Sequence, residues 1–304
     1  MRRRALAALV GVLLLALAGC GQARQERSVV VTTNILGDVT RQIVGDQAEV
    51  TVLMGPNADP HSFGVSAQQA ARLERAGLVV HNGLGLEEGV QRHVDAARAA
   101  GVATFAAAEA VDPIVFATDG SAGQPDPHFW TDPQRVRRVV DLVADEVIAH
   151  VEGVDEAAIR ANAARYGAAV DELDAALTAQ FARIPAERRK LVTNHHVFGY
   201  LAQRYGFEVV GAVIPSGTTL ASPSASDLES LATAVRTAGV PAVFADSSQP
   251  DRLARVLADR AGVQVAVIPL FSESLTEEGG GAATYLEMMR ANADAIARGL
   301  GAMP

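Results

Sequence analysis

Four of the seven histidines stand in segments able to deliver an imidazole to a fixed point. His61 lies in Gly55-Pro-Asn-Ala-Asp-Pro-His-Ser-Phe, His128 in Asp126-Pro-His-Phe-Trp-Thr-Asp-Pro, and His195 and His196 are adjacent after a short β-branched run. Both Pro-His steps place a residue of fixed φ just before the ring, which restrains the backbone that presents it. A carboxylate occupies a comparable loop position at Glu273, in Pro269-Leu-Phe-Ser-Glu-Ser-Leu. Three imidazoles and one carboxylate make a closed four-coordinate set. Such a set suits Zn2+, which binds imidazole nitrogen at about 2.0–2.1 Å and tolerates one oxygen, better than Mn2+, which prefers more oxygen. The spacing alone fits equally well with loop histidines that cap helices or bond the backbone. His93 and His150 fall in helical stretches among charged residues and read as solvated, and His81, ending Leu-Val-Val-His, reads as a satisfied structural histidine. The single cysteine, Cys20, excludes a disulfide framework and a cysteine-based zinc finger.

The elements that must position these groups follow from the hydrophobic pattern. Short β-branched runs alternate with longer amphipathic stretches, the pattern of α/β units with parallel strands. Strands are predicted near 29–33, 49–53, 78–81 and 102–105, and again near 190–193, 208–213, 242–245 and 264–268. Helices are predicted near 36–44, 66–76 and 87–99, then 199–205, 224–237, 250–261 and 284–299. The fold class is therefore α/β, two lobes each with a four-stranded, mainly parallel sheet flanked by helices. Between them Ile159, Ala163, Tyr166, Val170, Leu173, Leu177, Phe181 and Ile184 recur three or four residues apart, one apolar stripe on one continuous helix. Asp155 is placed to cap it and Pro185 to stop it. Residues 155–184 would span about 45 Å at 1.5 Å per residue, a stiff strut joining the lobes. In open parallel sheets ligands bind beyond the carboxyl ends of strands, so His61, His128, His195 or His196, and Glu273 can converge on one interlobe cleft.

The chain begins with three arginines, then an apolar run over residues 5–18 and Gly19-Cys20. That run is shorter than the roughly 20 residues a bilayer needs and reads as a secretory signal. Leu17-Ala18-Gly19-Cys20 resembles a bacterial lipobox, whose cleavage leaves Cys20 carrying lipid at the new N-terminus. The expected organisation is a signal over 1–19, a lipidated tether over 20–28, a first lobe over 29–154, the linking helix over 155–184 and a second lobe over 185–304. A net charge of −9 without a basic run argues against a nucleic-acid partner.

Segments 28–36, 53–63, 76–87, 126–133, 192–206 and 271–289 together resemble the metal-binding subunits of zinc and manganese ABC importers, the solute-binding proteins joined by a rigid backbone helix. The resemblance covers nearly all of the mature chain in order. It implies metal ligands at His61, His128 and His195, the last fixed by register with Phe198, Gly199 and Tyr200, with His196 the neighbouring alternative. It implies a fourth ligand at Glu273, where the family usually has Asp, with Asp246 the reserve carboxylate. Histidine at the third position is the zinc-type pattern. The chain lacks the long His-rich loop of many zinc-type relatives, having only residues 113–126 there.

The implied function is extracytoplasmic capture of one Zn2+ per chain, with Mn2+ less favoured, and delivery to an ABC permease by a monomer anchored to the lipid membrane through Cys20. Manganese or iron as cargo is the alternative. A zinc hydrolase would use Glu273 as general base, but the sequence has no His-Glu-x-x-His helix and the four-ligand set leaves no open position. A surface adhesin is permitted by the anchor, though nothing encodes a partner surface. Because neutral imidazole is the ligating form, affinity is expected to fall as the pH drops through the histidine range near 6.5.

Overall fold

The computed structural model of the chain describes residues 27–117, 119–262 and 265–301, so the signal-like segment and Cys20 lie outside the described residues. In the first lobe β1 (Ser28–Val31) and β3 (Leu78–His81) are buried along their whole length, as continuous apolar runs in the middle of a parallel sheet should be. They are flanked by β2 (Glu49–Val52) and β4 (Ala103–Ala106) in the order β2-β1-β3-β4, with Val30 opposite both Thr51 and Val79. The second lobe repeats this plan. Its sheet runs β6 (Glu208–Ala212), β5 (Lys190–Thr193), β7 (Ala242–Asp246) and β8 (Ala266–Leu270), also all parallel. Pro269 is tolerated because β8 is an edge strand. The topology is thus duplicated although no repeat is visible in the residues.

The helices begin where side chains satisfy their free N–H groups. Thr33 caps α1 (Asn34–Val44), a Ser66/Gln69 capping box opens α2 (Ala67–Leu73), and Asp132 followed by Pro133 opens α4 (Pro133–His150) after α3 (Gln91–Ala99). The predicted helix at 87–99 begins four residues later. The reason is Glu87, whose buried carboxylate accepts from Asn82 N at 2.7 Å, Gly83 N at 3.2 Å and Thr32 Oγ1 at 2.5 Å, holding residues 82–87 in a turn. Glu87 is fully buried, which pushes its carboxyl above the usual carboxylate range despite these donors.

The predicted strut is α5 (Glu156–Ala182), 27 residues and about 40 Å long, with Asp155 accepting from Ala157 N and Ala158 N. Gly167 is an intended gap in it: a Cβ there would stand 2.7 Å from the Arg137 guanidinium of α4. Asn162 ties the strut to α1 through Ile43 O at 3.1 Å. Toward the second lobe, Asp174 receives Tyr205 Oη at 2.8 Å from α6 (Gly199–Tyr205), and Gln180 reaches Asp294 of α9 (Tyr285–Gly299) at 2.7 Å. The helices α7 (Ala225–Ala238) and α8 (Arg252–Ala261) cover the other face of the second sheet, where Leu231, Val235 and Leu257 form a separate cluster.

On the strut side there is one core, not two. A single buried cluster runs from Val29 and Val80 through Val140, Leu173 and Phe181 to Leu191, Phe244 and Ile296. The lobes therefore share apolar surface through α4, α5 and α9, and wide hinge opening would expose it. No helix among the described residues is long and apolar enough to cross a membrane. Leu173, fully buried mid-strut, should cost about 2–5 kcal/mol when changed to Ala. Because the core is shared, urea unfolding followed by Trp130 fluorescence and by circular dichroism should remain one coincident transition, shifted to lower urea.

Candidate metal centre

Each lobe sends two donors into the cleft from loops beyond the carboxyl ends of strands. His61 follows β2, His128 precedes the turn Phe129–Thr131 that leads into α4, His195 follows β5, and Glu273 follows β8. All four are buried, none more than 2% exposed. One ligand atom from each lies within 4.8 Å of every other. Glu273 Oε1 stands 3.1 Å from His195 Nε2 and 3.6 Å from His128 Nε2, and Oε2 stands 3.7 Å from His61 Nε2. The Nε2 atoms of His61 and His128 are 3.4 Å apart. Four ligands at 2.0–2.1 Å around a tetrahedral ion would be separated by about 3.3 Å, so these spacings bracket what such an ion requires. The extra methylene of glutamate does not carry the carboxylate past the cage.

Most of these polar atoms find no hydrogen-bond partner among the described residues. Both Glu273 oxygens, both ring nitrogens of His195 and Nδ1 of His61 are buried without a hydrogen bond among the described residues. Burial lowers the His61 imidazole to about 4 against the opposing pull of Glu273, and lowers His128 and His195 as well. Burial likewise raises the Glu273 carboxyl well above its ordinary range, only partly offset by His61. Burial thus disfavours charge on all four groups, and a divalent cation would supply the partner that their lone pairs lack.

The supports repeat one device. In both Asp-Pro-His segments the aspartate accepts the backbone N–H of the histidine two residues on, Asp59 from His61 and Asp126 from His128, each at 2.9 Å. Asp126 Oδ1 also lies 2.7 Å from His128 Nδ1, which leaves Nε2 aimed into the cage. Burial lifts the Asp126 carboxyl to about 7. Glu273 is fixed by its neighbours: Trp130 Nε1 donates to Ser272 O at 2.9 Å, Ser272 Oγ donates to Asp246, and Asn34 of the opposite lobe bonds Ser274 Oγ at 2.7 Å and Leu275 N at 3.0 Å.

The structure brings together His61, His128, His195 and Glu273, and it leaves His196 and Asp246 outside the cage. His196 donates its backbone N–H to Ser216 O at 3.1 Å, its ring 6.3 Å from that of Phe116. Asp246 accepts from Ser248 and Ser272. His150 is exposed and pairs with Glu146 at 3.3 Å, whereas His93 is half-buried and stands 3.2 Å from Arg92 Nε. His81 is buried as expected of a structural histidine, but neither ring nitrogen has a hydrogen-bond partner among the described residues. Burial lowers it to about 4. Sequence reading missed Asn34, Asp59, Asp126 and Trp130 as supports. The repeated Asp-Pro-His spacing was the visible signal for the two aspartates.

Two α/β lobes on a rigid helix, closing a buried set of metal-type donors in their cleft, define a solute-binding protein for a metal ion. Residues 29–299 match the model for zinc-uptake complex component A periplasmic, ZnuA, and the chain belongs to this family of ABC importer solute-binding proteins, which are not enzymes. The zinc-binding protein TroA of Treponema pallidum is 30% identical over 276 residues, covering 90% of this chain and 88% of that protein. The manganese ABC transporter substrate-binding lipoprotein PsaA of Streptococcus anginosus is 27% identical, covering 94% and 95%. The solved structure of periplasmic zinc-binding TroA superposes with a TM-score of 0.82 at 29% identity, over 90% of this chain and 99% of that one.

The expected pH dependence changes its origin. Burial lowers the rings below their ordinary range and raises the carboxyls of Glu273 and Asp126, so these carboxyls carry a larger share of the protons an entering ion must displace as the pH falls. The metal-free form holds the extra protons, so acid favours it and affinity falls as the pH falls. Calorimetry in buffers of different ionisation enthalpy should show proton release on zinc binding that grows as the pH is lowered through about 7, the value to which burial lifts Asp126.

Proposed function

We propose that the protein captures one Zn2+ per chain with His61, His128, His195 and Glu273 and delivers it to its ABC permease. The buried donor set of three imidazoles and one carboxylate carries this reading. Three borderline nitrogen donors favour zinc, while manganese would gain from the additional oxygen ligands the cage lacks. The zinc-uptake family model and the zinc-binding TroA relative support the choice of ion. Manganese is the competing cargo, because PsaA, a manganese-transporter protein, is similar over nearly the same length.

The same reading assigns residues 1–19 as a signal, Cys20 as the lipidated residue and 20–28 as a tether that holds a monomer on the extracytoplasmic face of the membrane. Residues 29–154 and 185–304 are then the working lobes and 155–184 the linker. Relatives named as lipoproteins support the anchor. Two acyl chains give stable attachment where a single chain is marginal.

Zinc titration with a competing chelator should give one site per chain. Glu273→Ala should weaken it by more than about 100-fold and His196→Ala by less than Glu273→Ala does, within the about 10–100-fold typical of residues outside the ligand set. A strain lacking the protein should fail in chelator-depleted medium and be restored by zinc and not by manganese; manganese rescue alone would overturn the zinc assignment. Cys20→Ala should leave the protein unprocessed or release it from the membrane fraction, and normal processing together with membrane retention of that variant would count against the anchor.

A further inference from the structure

We propose that Asp59 locks the metal cage by tying the loop that carries His61 to a strap of the opposite lobe, residues 214–220. The proposal rests on reading His61 as a ligand. The two oxygens of Asp59 divide the work. Oδ1 accepts the His61 backbone N–H at 2.9 Å. Oδ2 accepts Ser62 Oγ at 3.1 Å and, from across the cleft, Thr219 Oγ1 at 2.6 Å and Gln249 Nε2 at 3.0 Å. Thr219 lies on the strap that leaves β6, and Gln249 lies in the loop after β7. Asp59 is only 9% exposed, so these bonds form where water competes poorly.

The strap touches the first lobe a second time. Gly217 N donates to Ser121 Oγ at 3.0 Å, and a Cβ at Gly217 would stand 2.3 Å from the Phe116 ring, whose centroid is 6.1 Å from that of His128. Its own lobe holds it through His196 N to Ser216 O at 3.1 Å and Ile214 N to Asn194 O at 2.8 Å. One strap therefore contacts the segments that carry His61, His128 and His195. Because the lobes share a core behind the cage, lifting this strap is the local movement that opens the cage, and Asp59 is where it is fastened. Asp59 is a positioning residue: it acts on the ion through His61, and its partners Thr219 and Gln249 set the rate of release.

The test uses the mature chain loaded with Zn2+ and mixed rapidly with excess chelator. Thr219→Val and Gln249→Met remove the donors from the second lobe and leave the His61 bond intact. Each should speed zinc dissociation by about 10–100-fold, the range for outer-layer supports of a metal site. The double variant should be no faster than the sum of the two effects predicts, since both act on one carboxylate. Thr219→Ser, which keeps the hydroxyl, should retain the slow rate, and the thermal midpoint of the zinc-free protein should fall by no more than a few degrees in any variant, the cost of one or two hydrogen bonds. Dissociation at the parental rate in both single variants overturns the proposal. So does faster dissociation that comes with a zinc-free midpoint lowered by more than a few degrees and no rescue by serine, which marks general loosening. Absence of zinc binding in the parent protein would instead overturn the reading of His61 as a ligand, and this proposal with it.

Discussion

A carboxylate 1% exposed, with no donor for either oxygen and three imidazole nitrogens within 3.7 Å, is the constraint on which the rest of this structure depends. Left ionised, Glu273 would suffer the full cost of a buried unpaired charge, and protonated it still leaves lone pairs facing lone pairs. An apolar core would be more stable at that position. The arrangement makes sense when its charge deficit is filled by a divalent cation, and that sets a demand on the scaffold. Four side chains separated by up to 212 positions in the chain must be kept from relaxing apart while the ion is absent.

The scaffold meets the demand by rigidity on two scales. At the larger scale the strut and the shared core fix the distance between lobes, so the two first-lobe ligands and the two second-lobe ligands start from opposed positions. At the smaller scale each ligand has its own brace. Asp126 holds both the backbone and the ring of His128, and Asp59 holds the backbone of His61. Bonds from Trp130 and Asn34 tie the Glu273 segment to the first lobe, and Tyr285 adds another by donating to Trp130 O at 2.9 Å. These braces cross the cleft, which is why the ligand from the last strand of one lobe can be aimed by the first helix of the other.

Much of this was legible in the sequence, and the reasons differ by element. Central strands and the strut were readable because burial on both faces, or on one stripe, writes itself directly as Val-Val-Val or as Ile159, Val170, Leu173 and Leu177 at helical spacing. The start of the strut followed from Asp155. What stayed hidden was long-range polar pairing. Asn34 and Leu275 are 241 positions apart, and no local pattern announces their bond. Glu87 looked like a helix residue because its role, capping three donors in a turn, depends on a strand that precedes it by more than fifty residues. His195 was separated from His196 by register alone, and the strand end at Thr193 explains why: Thr193 Oγ1 donates to His195 O at 2.7 Å, fixing the turn that faces one ring inward and leaves the next outside. The revised origin of the pH dependence has a related cause. Ring pKa values read from composition assume solvent, and these rings have none.

Rigidity then raises the question of release, and the same features limit the answer. A cage with four protein donors has no vacant position through which a competing ligand could enter, so exchange requires that a donor leave first. The shared core opposes separation of the lobes, because parting them would return Leu173, Phe181 and Phe244 to water at roughly 25 cal/mol per Å2 of apolar surface. Every ligand, however, stands on a loop beyond a strand and none on the sheets themselves. Moving a loop breaks a few hydrogen bonds while the core stays intact, which makes it the less costly route by several-fold. On the proposed ligand assignment the labour is divided: strands and strut keep the cage assembled, and the loops that carry the donors are the parts able to let the ion go.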